Sequence, residues 1–283
     1  MVQNPETRSR GMHVIRLLKA LSEAGRVVFT TSEARELAAG VGVPEDYVRN
    51  LLLNMIRDGW LIRLRRGLYA VSGLASGQVQ IHPFAIATQL VIPSAISHWS
   101  ALSHHGLTEQ APRVVTAFTP KKVVTPSMRG GKSSRGRRHA WDVAGVRYEY
   151  VSVRQERFFG IEQVWVDENF RVPITDRERT VLEVFISCRV FGGMGEALGI
   201  IENHLGRLDV GKLVEYARRF GQISTAKRLG WALERAGVSE AELRPLLEIP
   251  ATGYHALDPT RSRRGPCDKR WMIQNNLAAE ANP

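Results

Sequence analysis

The chain has 283 residues, more than one average domain, and its hydrophobic fraction of 43% is that of an ordinary globular protein. Its 39 Lys and Arg against 28 Asp and Glu give a formal net charge of +11, a field that attracts polyanions before any specific contact forms. No apolar run approaches the roughly 20 residues needed to span a bilayer, and MVQNPETRSRG lacks the apolar core of a signal peptide, so a cytoplasmic chain without a membrane partner is expected.

The predicted elements begin with a helix from Met12 to Ala24, where Val14, Ile15, Leu17, Leu18 and Leu21 follow the three-and-four spacing of one apolar face. After Gly25, the run Val27, Val28, Phe29 reads as a short extended segment. Thr30 stands three residues before Glu33, the spacing of a capping box, so a second helix is expected from about Thr31 to Ala39. Gly40 and Gly42 make a turn, and Pro44 suits the first turn of a third helix running to about Asp58. In that helix Val48, Leu51, Leu52, Met55 and Ile56 share one face, while Asp46, Arg49, Asn50, Asn54 and Arg57 project to another. Arg grips guanine O6 and N7 bidentately and Asn does the same for adenine N6 and N7, so the polar face suits a major groove. A merely solvated face is the alternative.

Next comes GWLIRLRRGLYAV, Gly59 to Val71: a glycine stop, then a hairpin whose turn needs a residue tolerant of positive φ, which Gly67 supplies. Arg63, Arg65 and Arg66 would stand on the exposed hairpin, placed to lie against phosphates or to enter a narrow minor groove. An edge hairpin guarded by charge is the alternative. Helix, helix and hairpin in this order are the layout of a winged helix-turn-helix, and DNA binding is expected.

Ser72 to Gly77 is rich in small residues and reads as a linker. Helices are predicted over Pro83–Val91 and Ser94–His105, then a strand over Val114–Thr119. From Lys121 to Arg138 the chain carries Lys121, Lys122, Arg129, Lys132, Arg135, Arg137 and Arg138 and no acidic residue. Such a loop reads either as a phosphate clamp or as a solvated insertion. GGKSS at Gly130 to Ser134 lacks the first glycine and the preceding strand of a P-loop. A hairpin around Ala144 and Gly145 spans Trp141–Val153, and a short strand covers Glu162–Val166. Asp176–Cys188 is an amphipathic helix through Val181, Leu182, Val184 and Phe185, followed by helices near Gly195–Leu205, Val210–Phe220 and Ser224–Ala236. Strands in the middle and helices behind give α+β: a winged helix-turn-helix over 1–77, then a mixed unit over 78–283 with a small central sheet and a helical tail. A division of the second unit near residue 175 is left open.

The stretch ISHWSALSHHGLTEQAP (Ile96–Pro112), the RRGLYAV hairpin and the late pattern of Leu257, Asp258, Pro259, Arg264, Gly265, Asp268, Arg270 and Trp271 together resemble the AbiEi family. These are winged-helix antitoxins and transcriptional regulators of bacterial abortive-infection, type IV toxin–antitoxin loci. The resemblance spans most of the chain, to Asn275. It implies a winged helix that binds inverted repeats in its own promoter as double-stranded DNA and represses its operon. It also implies an antitoxin domain over 78–283 that counters an AbiEii-like nucleotidyltransferase toxin in phage defence, without requiring stable contact with it. Carried over residue by residue, the DNA-binding set is Arg49, Asn50, Asn54, Arg57, Arg63, Arg65 and Arg66, with no catalytic residue, metal or cofactor. The basic loop lies outside the matching pattern.

Arg261, Arg263, Arg264 and Arg270 offer a surface for an acidic partner or RNA, with Trp271 as an anchor, or Asp258, Asp268 and Trp271 serve only to hold the fold together. A restriction-like nuclease would need a lysine two residues beyond Glu149 to accompany Asp142, and Val151 stands there. His98, His104 and His105 cluster without a zinc-binding spacing, and packing or capping explains them better. Cys188 and Cys267 are too far apart in sequence to suggest a zinc knuckle or a disulfide framework. The reading is a repressor and antitoxin with no enzymatic step, with a winged-helix DNA- or RNA-binding regulator unrelated to a toxin as the other option.

Overall fold

The computed structural model describes residues 5–72, 81–123 and 139–277, with the side chains of 5–10 and 139 left aside. Helix α1 (Pro5–Glu23) begins earlier than its apolar pattern. It buries Val14, Leu17 and Leu21, but Ile15 is 67% exposed, contrary to expectation. At about 100° per residue, position 15 falls well outside the arc that 14, 17, 18 and 21 define. Helix α2 (Thr31–Gly40) starts on the expected capping box, with Thr30 Oγ1 accepting from Glu33 N at 3.2 Å and Glu33 Oε2 accepting from Thr30 N at 2.7 Å. Helix α3 (Glu45–Arg57) has Pro44 at its N-cap, one position outside the first turn where it was expected. Val48, Leu51, Leu52 and Met55 of α3 are buried among Leu17, Leu21, Phe29 and Leu61. Each fully buried side chain of this kind contributes about 1.5–3 kcal/mol.

Strands β1 (Val28–Thr30), β2 (Leu61–Arg65) and β3 (Leu68–Val71) form an antiparallel sheet in the order β1-β3-β2. Gly67 closes the β2–β3 turn at φ 76°, and its carbonyl accepts from Thr31 N at 3.1 Å, tying the hairpin to the start of α2.

Strands β4 (Ala95–Ile96), β5 (Val114–Thr119), β6 (His139–Val143), β7 (Val146–Ser152), β8 (Ile161–Trp165) and β9 (Arg171–Thr175) build a six-stranded sheet in the order β6-β7-β5-β4-β9-β8. β5 and β7 run parallel, in register from Val114 opposite Arg147 to Thr119 opposite Ser152. On one face Val115, Ala117, Tyr148, Tyr150, Val172 and Ile174 share a core with helix α4 (Pro83–Leu90) and with Leu64, Leu68 and Ala70 of the hairpin. The Tyr150 hydroxyl donates to Ala87 O of α4 at 2.6 Å. The β2–β3 hairpin is therefore backed by the second core rather than standing free. On the other face lie helices α5 (His98–His104) and α6 (Arg177–Ile186). There Thr116 N donates to Ser100 Oγ, and the Arg179 guanidinium sits over the Phe118 ring.

Three sequence expectations need correction. The helix expected over Ser94–His105 is confined to α5, because Ala95 and Ile96 pair with Phe118 and Ala117 and Ser97 N donates to Thr116 O. A sheet partner outbids helix propensity there. Strand β9, which holds Pro173, was not expected. It is accommodated because β4 meets β9 only at Ile96 opposite Ile174, a bridge that needs no N–H from residue 173. Past Ala236 the chain forms helix α10 (Glu240–Leu247) and the small strands β10 (His255–Ala256), β11 (Cys267–Asp268) and β12 (Ile273–Gln274), ordered β10-β12-β11. These segments are too short for a periodic signal.

The tail helices α7 (Met194–His204), α8 (Val210–Phe220) and α9 (Ile223–Arg235) lie close to their expected spans. With α6 and α10 they enclose a third core that takes in Leu257, Trp271 and Ile273. Among the described residues no helix is long and apolar enough to cross a membrane.

Candidate nucleic-acid interface

Burying the Val48, Leu51, Leu52, Met55 face of α3 leaves the opposite arc in water. Asp46, Arg49, Asn50 and Arg57 are exposed on it and Asn54 is half-buried at its edge. Arg57 is partly engaged, its Nε lying 3.2 Å from Asp58 Oδ1. Such an exposed pair is worth little and yields readily to a phosphate or a base. Leu53, in the same arc, is 53% exposed. The sequence reading passed over it because it searched that face only for polar groups.

The hairpin presents Arg63, Arg65 and Arg66 to solvent. Arg63 lies opposite Tyr69 and Arg65 opposite Leu68, with an irregularity between Arg63 and Arg65. By the ordinary alternation of a strand, Leu64 enters the second core with Ile62 while both arginines stay outside. Arg65 is close enough to Tyr150 to favour its phenolate, although burial, the larger effect, pushes that phenol up. Arg49, Arg63, Arg65 and Arg66 make no ion pair among the described residues. Their charge is therefore available to a polyanion. Glu33 stands in the first turn of α2. The Thr30 amide holds it below its ordinary value, and Arg26 lies 3.5 Å away.

Of the other basic positions read from the sequence, Lys121 and Lys122 are exposed just past β5, where Ser152 Oγ donates to Lys121 O at 3.1 Å. Arg129, Lys132, Arg135, Arg137 and Arg138 lie outside the described residues. Arg261, Arg263 and Arg264 are exposed on the loop between β10 and β11, attached to the helical core and not to the core beneath α3. α3 and the start of the hairpin share one core through Leu51, Leu52 and Leu61, and the C-terminal arginines stand on another element.

The late motif residues act within the fold. Asp258 is buried, a position that by itself raises a carboxyl pKa. Hydrogen bonds from Thr260 and from Met194 N at 3.0 Å, with Arg261 nearby, nevertheless hold it below the usual carboxylate value. Asp268 Oδ1 accepts from the Arg270 and Trp271 amides. Trp271 is wholly buried, its Nε1 donating to Glu234 Oε2 at 2.6 Å. Arg270 bridges Glu234 and Glu240. This is the structural alternative weighed for Trp271 and the two aspartates.

The histidines also have local partners. His98 N donates to Glu183 Oε2 at 2.9 Å while its ring stacks on Phe191, and His105 Nε2 lies 2.7 Å from Thr175 O. Among the described residues no three His, Cys, Asp or Glu side chains are grouped to hold a metal ion.

The chain is similar over nearly its full length to the crystal structure of the RV2827C protein from Mycobacterium tuberculosis. The TM-score is 0.65 at 14% identity, covering 96% of this chain and 95% of that one. At that identity the likeness shows a shared fold. None of the curated proteins matches the chain. Residues 16–72, from α1 through the end of the β2–β3 hairpin, match the family described as "Transcriptional regulator, AbiEi antitoxin", which is the family the sequence motifs resemble.

Proposed function

We propose that this chain is the antitoxin of a bacterial type IV toxin–antitoxin system and represses its own operon by binding promoter DNA through α3 and the β2–β3 hairpin. The observation that carries the reading is the exposure of Arg49, Asn50 and Arg57 on α3, with Asn54 at their edge, together with that of the three arginines on the hairpin that follows it. A helix of that composition suits a major groove, and the hairpin arginines suit the flanking phosphates or minor groove. The AbiEi match over 16–72 supports a regulatory role. In this reading residues 1–77 supply the DNA-binding unit and 78–283 the unit that counters an AbiEii-like nucleotidyltransferase toxin in phage defence. No catalytic step is needed.

The test uses the full chain, because the hairpin shares a core with α4 and the second sheet. A mobility-shift titration on DNA from its own promoter, with a scrambled duplex as competitor at physiological salt, should show a clear preference for the promoter. Co-expression should then restore growth to cells carrying the neighbouring nucleotidyltransferase-like gene product. Promoter binding without rescue would make the chain a regulator unrelated to a toxin. No preference between the duplexes would sink the repressor reading.

A further inference from the structure

Leu53 is the single exposed apolar side chain of α3, and it stands at the centre of the polar arc. Arg49 lies four residues before it and Arg57 four residues after, with Asn50 three before, so these groups surround it on the helix surface. The buried side of α3 is already filled by Val48, Leu51, Leu52 and Met55, and Leu53 is not a member of that core. An exposed leucine by itself is unremarked on a protein surface. Its position among hydrogen-bonding side chains of the right length for base edges gives it a specific chemistry.

In the major groove the thymine C5-methyl is the one apolar feature of the base edges, and apolar side chains read it by contact. We infer that Leu53 is a specificity-determining residue that packs on a thymine methyl of the operator while its polar neighbours hydrogen-bond adjacent bases. This inference rests on the proposed DNA-binding mode of α3. Arginine and asparagine on this arc read guanine and adenine, and Leu53 adds a position at which thymine is preferred over cytosine.

The experiment begins by mapping the protected segment of the promoter with the full chain. Each thymine within it is then replaced in turn by deoxyuridine, which removes the methyl and keeps base pairing. At one or two positions the native chain should bind about fourfold more weakly, the factor for one lost buried methyl group. Leu53→Ala should bind the thymine and uracil duplexes equally, and Leu53→Met should keep part of the difference. Because the site is exposed and Ala is a strong helix former, the Ala variant should fold as the native chain does, which far-ultraviolet circular dichroism checks.

If no uracil substitution affects the native chain, or if Leu53→Ala keeps the same thymine preference, the assignment of Leu53 is overturned while the repressor reading stands. If the native chain does not distinguish promoter from scramble, both fail together, and the first titration reveals this before any uracil duplex is made.

Discussion

Arginines occupy opposite circumstances at the two ends of the molecule. Around β10–β12 two of them are tied into the fold: Arg228 Nε donates to Ala256 O at 2.9 Å, and Arg270 meets both Glu234 and Glu240. On α3 and the β2–β3 hairpin, Arg49, Arg63, Arg65 and Arg66 stand in water with no ion pair among the described residues. A guanidinium taken out of water must be paired, or its desolvation goes uncompensated. One left in water keeps its hydration until a phosphate replaces it and counterions are released. The same residue type therefore acts as internal bracing in one region and as contact surface in the other, and substitutions should separate the two roles.

The largest effect is expected from Trp271→Ala. It empties a wholly buried site against α9, where Gly230 leaves room for the ring, and it removes the bond to Glu234. A loss of about 3–5 kcal/mol is expected in urea unfolding. The folded fraction should keep native promoter affinity, and a folded variant with impaired binding would break the division between bracing and contact surface.

The double replacement Arg65→Ala with Arg66→Ala is the converse case. Unfolding should move by no more than about 0.5 kcal/mol, as for exposed positions generally. Promoter affinity should fall on specific and random duplexes alike, and the slope of log K against log salt should become shallower by about 2. An unchanged slope would remove the hairpin from the interface.

Arg49→Ala sharpens the contrast within the contact surface. It should cost about 1–3 kcal/mol at the preferred base pair and relax discrimination there, with little change on random DNA. Equal weakening on both duplexes would make Arg49 a phosphate contact.

The smallest effect concerns the start of α2, which braces the hairpin through Thr31 N and Gly67 O. Thr30→Ala should destabilise the fold by about 1 kcal/mol. Because the Thr30 amide holds the Glu33 carboxyl below its ordinary value, its contribution is fully present above that ordinary value and is lost as pH falls through the lower folded one. In Glu33→Gln this acid-dependent part should vanish from a pH series of unfolding midpoints. A series that still follows the native curve would show that Glu33 is not its source.

Local chemistry made much of this legible. The Thr30–Glu33 capping box located α2, and Gly67 located the turn of the hairpin. In the tail, α8 runs over Val210–Phe220 as expected, between Asp209 capping Lys212 N and Gly221 in the left-handed region. The Val114–Thr119 strand likewise matches its β-branched run. Caps, turns and periodicity act over a few residues, so the sequence alone determines them.

What required the third dimension was every decision made by a distant partner. Ala95 and Ile96 became a strand because β5 lay beside them, and Pro173 was admitted because β4 is short. Leu64 and Leu68 turned from the hairpin into a second core, which made the winged helix and the six-stranded sheet share buried surface. Ile15 and Leu53 are apolar yet stand exposed, because the packing of α1, α2 and α3 is filled from the other arcs of their helices. Composition states which side chains are apolar. Burial is settled by the neighbours that tertiary packing brings against each face.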